Sequence, residues 1–233
     1  MNSNKSTARI AGLVYLIVVF TGIFYLMYVP SKLFVWNNAA ETFQNIRNNE
    51  TLFRLGISAG FICYIAFLLL PFVLYKLFKP VHKTWAVLMI VFAVVSVPMA
   101  FINFGNEFSV LTLIGNDAFL KTFDAARLQS EVMLHLHAYR NGNQIISIFS
   151  GLWLFPFGLL IFKSGLIPKI FGLLLMLGCF GYLIDFFVGF LYPAYNETII
   201  AEYILMPASI GEIGTCLWLL IPGAKNERQF SLT

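Results

Sequence analysis

Charge is what this sequence lacks most: Asp, Glu, Lys and Arg together make up 11% of its 233 residues. Soluble domains carry roughly 25%, so a surface this poor in charge cannot face mostly water. Cysteine is scarce as well. Cys63, Cys179 and Cys216 are odd in number, and each lies inside a separate apolar run. That pattern excludes a disulfide framework or a cysteine metal cluster and predicts membrane-buried thiols. Histidine occurs three times, with no His-Glu-x-x-His and no pair four residues apart. The sequence has no phosphate-cradling glycine loop, no dinucleotide fingerprint and no haem-attachment Cys-x-x-Cys-His. Ser147 and Ser150 belong to no Gly-x-Ser-x-Gly turn. No basic stripe accompanies the net charge of +4, because the cations are scattered at helix ends, which argues against nucleic acid as a partner.

What the chain has instead is apolar length. Hydrophobic residues reach 59%, and runs of about 20 of them recur from end to end, the length that crosses a bilayer as helix. The runs are continuous rather than alternating, which excludes a closed barrel. The expected fold is all-α: a polytopic membrane helix bundle of about six transmembrane helices, forming a single integral membrane domain over 1–233. The expected spans are Ile10–Val29, Leu55–Leu77, Trp85–Phe104, Ile145–Phe162, Ile170–Leu191 and Ala201–Ile221. The first has a basic flank, Lys5 and Arg9, but no small-residue cleavage site follows, so it reads as a retained signal anchor.

Loop charges orient the bundle. One side gathers Lys5, Arg9, Lys76, Lys79, Lys83, Lys163, Lys169, Lys225 and Arg228 against Glu227 alone. The other holds Lys32, Arg47, Arg54, Lys121, Arg127 and Arg140 among eight acids. The excess of cations marks the first side as cytoplasmic, predicting a multi-pass protein of the cell (inner) membrane with both termini inside. Two longer segments lie on the outer side. Ser31–Phe53 contains a polar helix-like stretch. Ser109–Asn143 reads as an amphipathic outer segment between spans three and four, with Leu120, Phe123, Leu128, Val132 and Leu136 on one stripe. A structureless loop of that size is unusual, so it is expected to cap the bundle or lie along the interface.

Two stretches carry a family resemblance: Ala8-Arg9-Ile10-Ala11-Gly12-Leu13-Val14-Tyr15-Leu16, and Lys163 through Leu174 continuing to Gly181-Tyr182-Leu183-Ile184-Asp185. With Gly211-Glu212 and Leu217-Trp218-Leu219-Leu220 near the end, the chain resembles an uncharacterised bacterial multi-pass membrane family, a domain of unknown function numbered 4386. The resemblance covers nearly the whole chain and implies a six-helix membrane protein. It brings no activity.

The few polar residues inside the spans are therefore the functional candidates. Glu212 lies roughly 16 Å below the outer end of the last span at 1.5 Å per residue, near the midplane. A carboxylate there costs at least ~2.5–3.5 kcal/mol and needs a partner, a proton or water. Asp185 falls in the outer third of the fifth span, about 22 Å from its start. Ser96, Asn103 and Glu107 share one face of the third span, Ala208, Glu212 and Thr215 one face of the last, and His137, Asn141 and Gln144 one face of the fourth. Gly178, Gly181, Tyr182, Asp185 and Gly189 line the fifth, where small residues allow close helix approach. Glu212, Asp185, Asn103, Glu107, Gln144 and His137 are the expected lining of a polar cup open to the extracytoplasmic side, binding a small molecule, lipid or ion for transport or sensing. Against it stand an intramembrane enzyme acting on lipid, metal-dependent through His137, Asp185 and Glu212, and a structural or assembly factor. His135 and His137 point about 200° apart on a helix, so no metal site is assigned. Membrane lipid is the one certain neighbour, and no residue pattern names a cofactor or sets an oligomeric state. Tyr25, Tyr28, Trp36, Trp85, Trp153, Tyr192 and Tyr195 read as interfacial aromatic anchors.

Overall fold

The computed structural model describes residues 3–224, apart from the side chains of Ser3 and Asn196. Lys225, Glu227 and Arg228, counted above for orientation, lie outside the described residues. Among the described residues every regular element is a helix, and six stretches are long and apolar enough to cross a membrane: Asn4–Leu33, Glu50–Phe78, Lys83–Leu113, Ala125–Ser164, Lys169–Leu191 and Ile199–Leu220. Each contains or nearly matches an expected span. Within the spans Leu69, Phe72, Phe180 and Phe190 stand exposed, as lipid-facing residues must.

In chain order the helices are α1 (Ser3–Ile23), α2 (Val29–Leu33), α3 (Ala39–Asn48), α4 (Glu50–Phe78), α5 (Lys83–Leu113), α6 (Ala125–Leu152), α7 (Leu154–Ser164), α8 (Lys169–Leu191), α9 (Ile199–Tyr203) and α10 (Met206–Leu220). Prolines explain three interruptions. Pro30 cannot donate to Leu26, and just before it Phe24–Tyr28 opens into a π-helix in which Val29 N–H reaches back to Phe24. Pro156 deprives the Leu152 carbonyl of its partner, and α6 gives way to α7 there. Pro207 does the same to Tyr203, the last residue of α9.

The chain packs as two compact units. The first comprises, in its described part, 3–17, 65–97 and 145–224. Its centre is aromatic: Trp153 stacks on Phe157 with centroids 5.0 Å apart, and Phe67 meets Trp153 edge-on at 5.1 Å. Glycines bring its helices together. A Cβ on Gly158 would lie 2.5 Å from the Gly172 carbonyl oxygen, one on Gly178 2.6 Å from the Ala208 Cβ, and one on Gly12 2.5 Å from the Leu220 nitrogen. The small-residue face expected on the fifth span is thus a packing face against the fourth and sixth.

The second unit comprises Val18–Tyr64 and Pro98–Gln144. Its core includes Tyr25, Val29, Phe43, Ile46, Phe53, Phe104, Val132, Leu136 and Tyr139. Asn38 caps α3 by accepting from Glu41 N–H at 3.1 Å, while Glu41 accepts from the Asn38 amide at 3.0 Å. The amphipathic outer stretch is helical, but it is not a separate element. Its part from Ala125 onward forms the first half of α6, continuous with the fourth span's helix, while Ala118–Thr122 is a 3-10 turn; Val132 and Leu136 of its apolar stripe are buried in the core of this unit, and Leu128 packs against it. Helix continues because no glycine or proline lies between Ala125 and Tyr139.

Candidate functional site

Each unit holds a glutamate bonded to a tyrosine of the first span. In the second unit Glu107 is 3% exposed, on the buried face of α5 that also carries Asn103. Tyr25 sits in the π-helical turn, 3% exposed, and donates its hydroxyl to Glu107 Oε2 at 2.9 Å. The Tyr25 ring packs against Phe104 and, edge-on, Tyr139, with centroids 5.5 and 6.0 Å apart. Tyr64 and Tyr139 are close enough to the carboxyl to interact with it electrostatically.

One turn earlier on α5 the amide of Asn103 donates to the Tyr139 carbonyl at 2.9 Å and to Asn143 Oδ1 at 3.0 Å, while its own Oδ1 accepts from Asn106 at 3.1 Å. Gly142 makes room for this: a Cβ there would collide with the Asn103 amide. Four hydrogen-bonding side chains and a carboxyl are thereby held within a core otherwise built from aromatic and aliphatic groups.

In the first unit Glu212, half-buried, accepts from the Tyr15 hydroxyl at 3.1 Å. Tyr15 is 1% exposed and packs its ring against Trp153 and Phe157, with Tyr182 and Cys216 near enough to interact with its phenol. Cys216 approaches the Gly12 carbonyl at 3.7 Å. Thr215, one turn from Glu212, is fully buried, and its hydroxyl has no hydrogen-bond partner among the described residues. Buried hydroxyls are rarely left so, since the lost hydrogen bond costs roughly 1–3 kcal/mol.

Asp185 is half-buried and accepts from Tyr195 at 3.4 Å, a long contact. Burial, and then the Asp185 carboxylate, push the Tyr195 phenol up from its ordinary value. Asp185 also lines a groove of about 510 Å³ with Glu197, Thr198 and Glu202, at the start of the sixth span.

Of the expected cup residues, Glu212 and Asp185 belong to the first unit, and Asn103, Glu107, Gln144 and His137 to the second. The structure joins Asn103 to the Glu107 face. His137 instead meets Arg140, 3.2 Å from its Nδ1, and Trp36. Gln144 is exposed. Neither Glu107 nor Glu212 forms an ion pair among the described residues, where Arg54–Glu50 is a surface pair on α4. No group of three or more His, Cys, Asp or Glu there could hold a metal ion.

Sequence reasoning passed over the tyrosines. Tyr25 and Trp153, expected as interfacial anchors, are 3% and 1% exposed and belong to the interior, whereas Tyr28, Trp36 and Tyr192 are exposed as anchors should be. Tyr15 carried a legible signal: with Ala8 and Ala11 it falls on one stripe at helical spacing, and all three are buried. The sequence does hold the letters of a nucleophile elbow in Gly56-Ile57-Ser58-Ala59-Gly60. They lie inside α4, where Ser58 donates to the Arg54 carbonyl at 2.9 Å, so the strand-to-helix turn that would expose such a serine is missing.

The model of one protein family, described as a domain of unknown function (DUF4386), matches residues 10–223. An uncharacterized protein of Archaeoglobus fulgidus (strain ATCC 49558 / DSM 4304 / JCM 9628 / NBRC 100126 / VC-16) is 37% identical over 78 residues, 34% of this chain. The match spans 44% of that relative's length, less than half of it. No solved structure matches.

Proposed function

The chain belongs to the DUF4386 family, a domain of unknown function, and from that premise we propose that it is a multi-pass protein of the cell membrane that binds a small molecule, lipid or ion for transport or sensing. Glu107 with Asn103, and Glu212 with Asp185, are the groups that meet the ligand, and both termini face the cytoplasm. The observation that carries this reading is the Tyr25–Glu107 bond: a buried carboxyl paired with a phenol and, among the described residues, with no cation. A purely structural role needs only one such hydrogen bond. Here Tyr25 sits in a π-helical turn, and a bonded set of three asparagines lies one turn from Glu107 on α5 and on α6; π-turns within α-helices occur frequently at functional sites. Thr215 supports the same reading for Glu212, because its idle hydroxyl offers a donor and an acceptor one turn away.

A ligand-exchanging carboxyl must open to solvent, whereas a structural one stays sealed. Infrared spectra of the protein in phosphatidylcholine vesicles, recorded after transfer to heavy water, distinguish the two. A carboxyl band that shifts within minutes in the parent protein and is absent from Glu107→Gln or Glu212→Gln is expected. Bands assigned by those variants that stay unshifted for hours would falsify the proposal. Reporter fusions at the C-terminus test the orientation separately, with a cytoplasmic signal expected.

A further inference from the structure

We propose that Trp36, His137 and Arg140, all in the second unit, form a preorganised site for the phosphate of an anionic lipid headgroup. The guanidinium of Arg140 lies over the Trp36 indole, its central carbon 4.6 Å from the ring centroid. Its Nη2 stands 3.2 Å from His137 Nδ1, and the His137 ring meets Trp36 edge-on at 5.4 Å. A guanidinium only donates, so in this contact His137 Nδ1 accepts. The three rings and planes hold one another in place. The ordering entropy that a long cationic side chain usually loses on binding is therefore largely spent beforehand.

Arg140 is exposed and makes no ion pair among the described residues, although its fork retains donors beyond the one facing His137. Such a fork matches phosphate oxygens bidentately. Placement along the chain selects the source. Arg140 precedes the apolar run that opens at Ile145 by about 7.5 Å of helix, and Trp36 stands three residues beyond Leu33, where the first span ends. Both fall at headgroup depth, where tryptophan is enriched. Exposed apolar residues continue both stretches towards the acyl chains, Ile145 on α6 and Met27 and Tyr28 on the first span.

Arg127 provides the internal contrast. It is also stacked, 4.2 Å over Phe123, but lies about 27 Å of helix before Ile145, beyond the headgroups.

Native mass spectrometry of the full-length protein, released from nanodiscs of mixed phosphatidylglycerol and phosphatidylcholine, tests the site. Both lipids carry a phosphodiester, and the choline cation is repelled by Arg140, so the parent is expected to retain phosphatidylglycerol over phosphatidylcholine by about tenfold. Arg140→Gln should bring that preference close to parity, Arg140→Lys should keep only part of it, and Arg127→Gln should leave it intact. Added inorganic phosphate should not displace the lipid. A parent without preference, or Arg140→Gln retaining it, overturns the proposal. An equal loss in Arg127→Gln reduces the effect to diffuse charge and overturns it too, and Arg140→Lys equal to the parent overturns the fork geometry. Displacement by inorganic phosphate assigns the site to a free anion and overturns the lipid.

Discussion

Removing one oxygen, by Tyr25→Phe, tests the central pair directly. Phenylalanine keeps the ring contacts with Phe104 and Tyr139, so the change isolates the hydroxyl that donates to Glu107 at 2.9 Å. Leaving a buried acceptor unpaired costs about 1–3 kcal/mol in soluble proteins. Interhelical hydrogen bonds in membranes average nearer ~0.6 and reach ~1.7 kcal/mol, because the unfolded helices find other partners in the bilayer. Glu107 is buried in protein rather than in lipid, which places the expected loss at about 1–2 kcal/mol. For a domain of this size that lowers the melting temperature by about 2–8 °C. Cys63, Cys179 and Cys216 are buried thiols outside any disulfide, so thermal unfolding in detergent can be followed with a thiol-reactive fluorophore. Tyr28→Phe, at a phenol ring 46% exposed, is the control and should change little. The decisive step is the cycle with Glu107→Met, which removes the acceptor at similar volume. The double variant should lose less than the two single losses added, by about 1 kcal/mol, since it leaves no orphaned group. Additivity to within about 0.5 kcal/mol would refute the idea that this bond holds the site together.

The glycines yield predictions of opposite sign. Gly142→Ala forces the Asn103 amide off the Tyr139 carbonyl and Asn143, and should destabilise by about 1–3 kcal/mol; Asn103→Ala in the same chain should relieve most of the clash, as the thiol melt would report. Gly105→Ala meets nothing within 4 Å on an exposed helical face, so it should stabilise by up to about 1 kcal/mol. At Gly12 a Cβ meets the backbone of Leu219 and Leu220 rather than a movable side chain. Gly12→Ala should therefore part the first and last spans, costing about 1–3 kcal/mol and speeding modification of Cys216, read by peptide mapping; unchanged labelling would count against that contact.

Much of the candidate site was legible because burying an ionisable group in lipid is costly wherever it occurs, so Glu107, Asp185 and Glu212 stand out with no knowledge of their neighbours. Asn103 and Glu107 were placed on one face by helical spacing alone, and both are buried. The partners were illegible. Tyr25 and Glu107 are 82 residues apart, and Tyr15 and Glu212 are 197 apart, and no periodicity links positions so distant. A tyrosine near a helix end also fits an interfacial anchor as well as it fits a buried donor, which is why Tyr25 was misread. His137 was grouped with the polar residues by spacing on α6, but its contact with Trp36 depends on where the first span's exit runs, a matter of packing.

The sequence by itself determined that this chain is a bundle of six helices long enough to cross a bilayer, because apolar length and the need to satisfy every backbone group inside lipid leave no other solution. Where those helices break it did not determine: Pro156 and Pro207 coincide with breaks, whereas Pro71 and Pro98 lie within continuous helices, because neighbouring packing decides whether the lost donor is tolerated. Only the tertiary structure decided which tyrosine each glutamate receives, which glycines become contact points, and that the amphipathic stretch extends a span instead of lying apart. Those outcomes depend on which faces meet, and in a chain apolar on nearly every side the faces are selected by fit rather than by hydrophobicity.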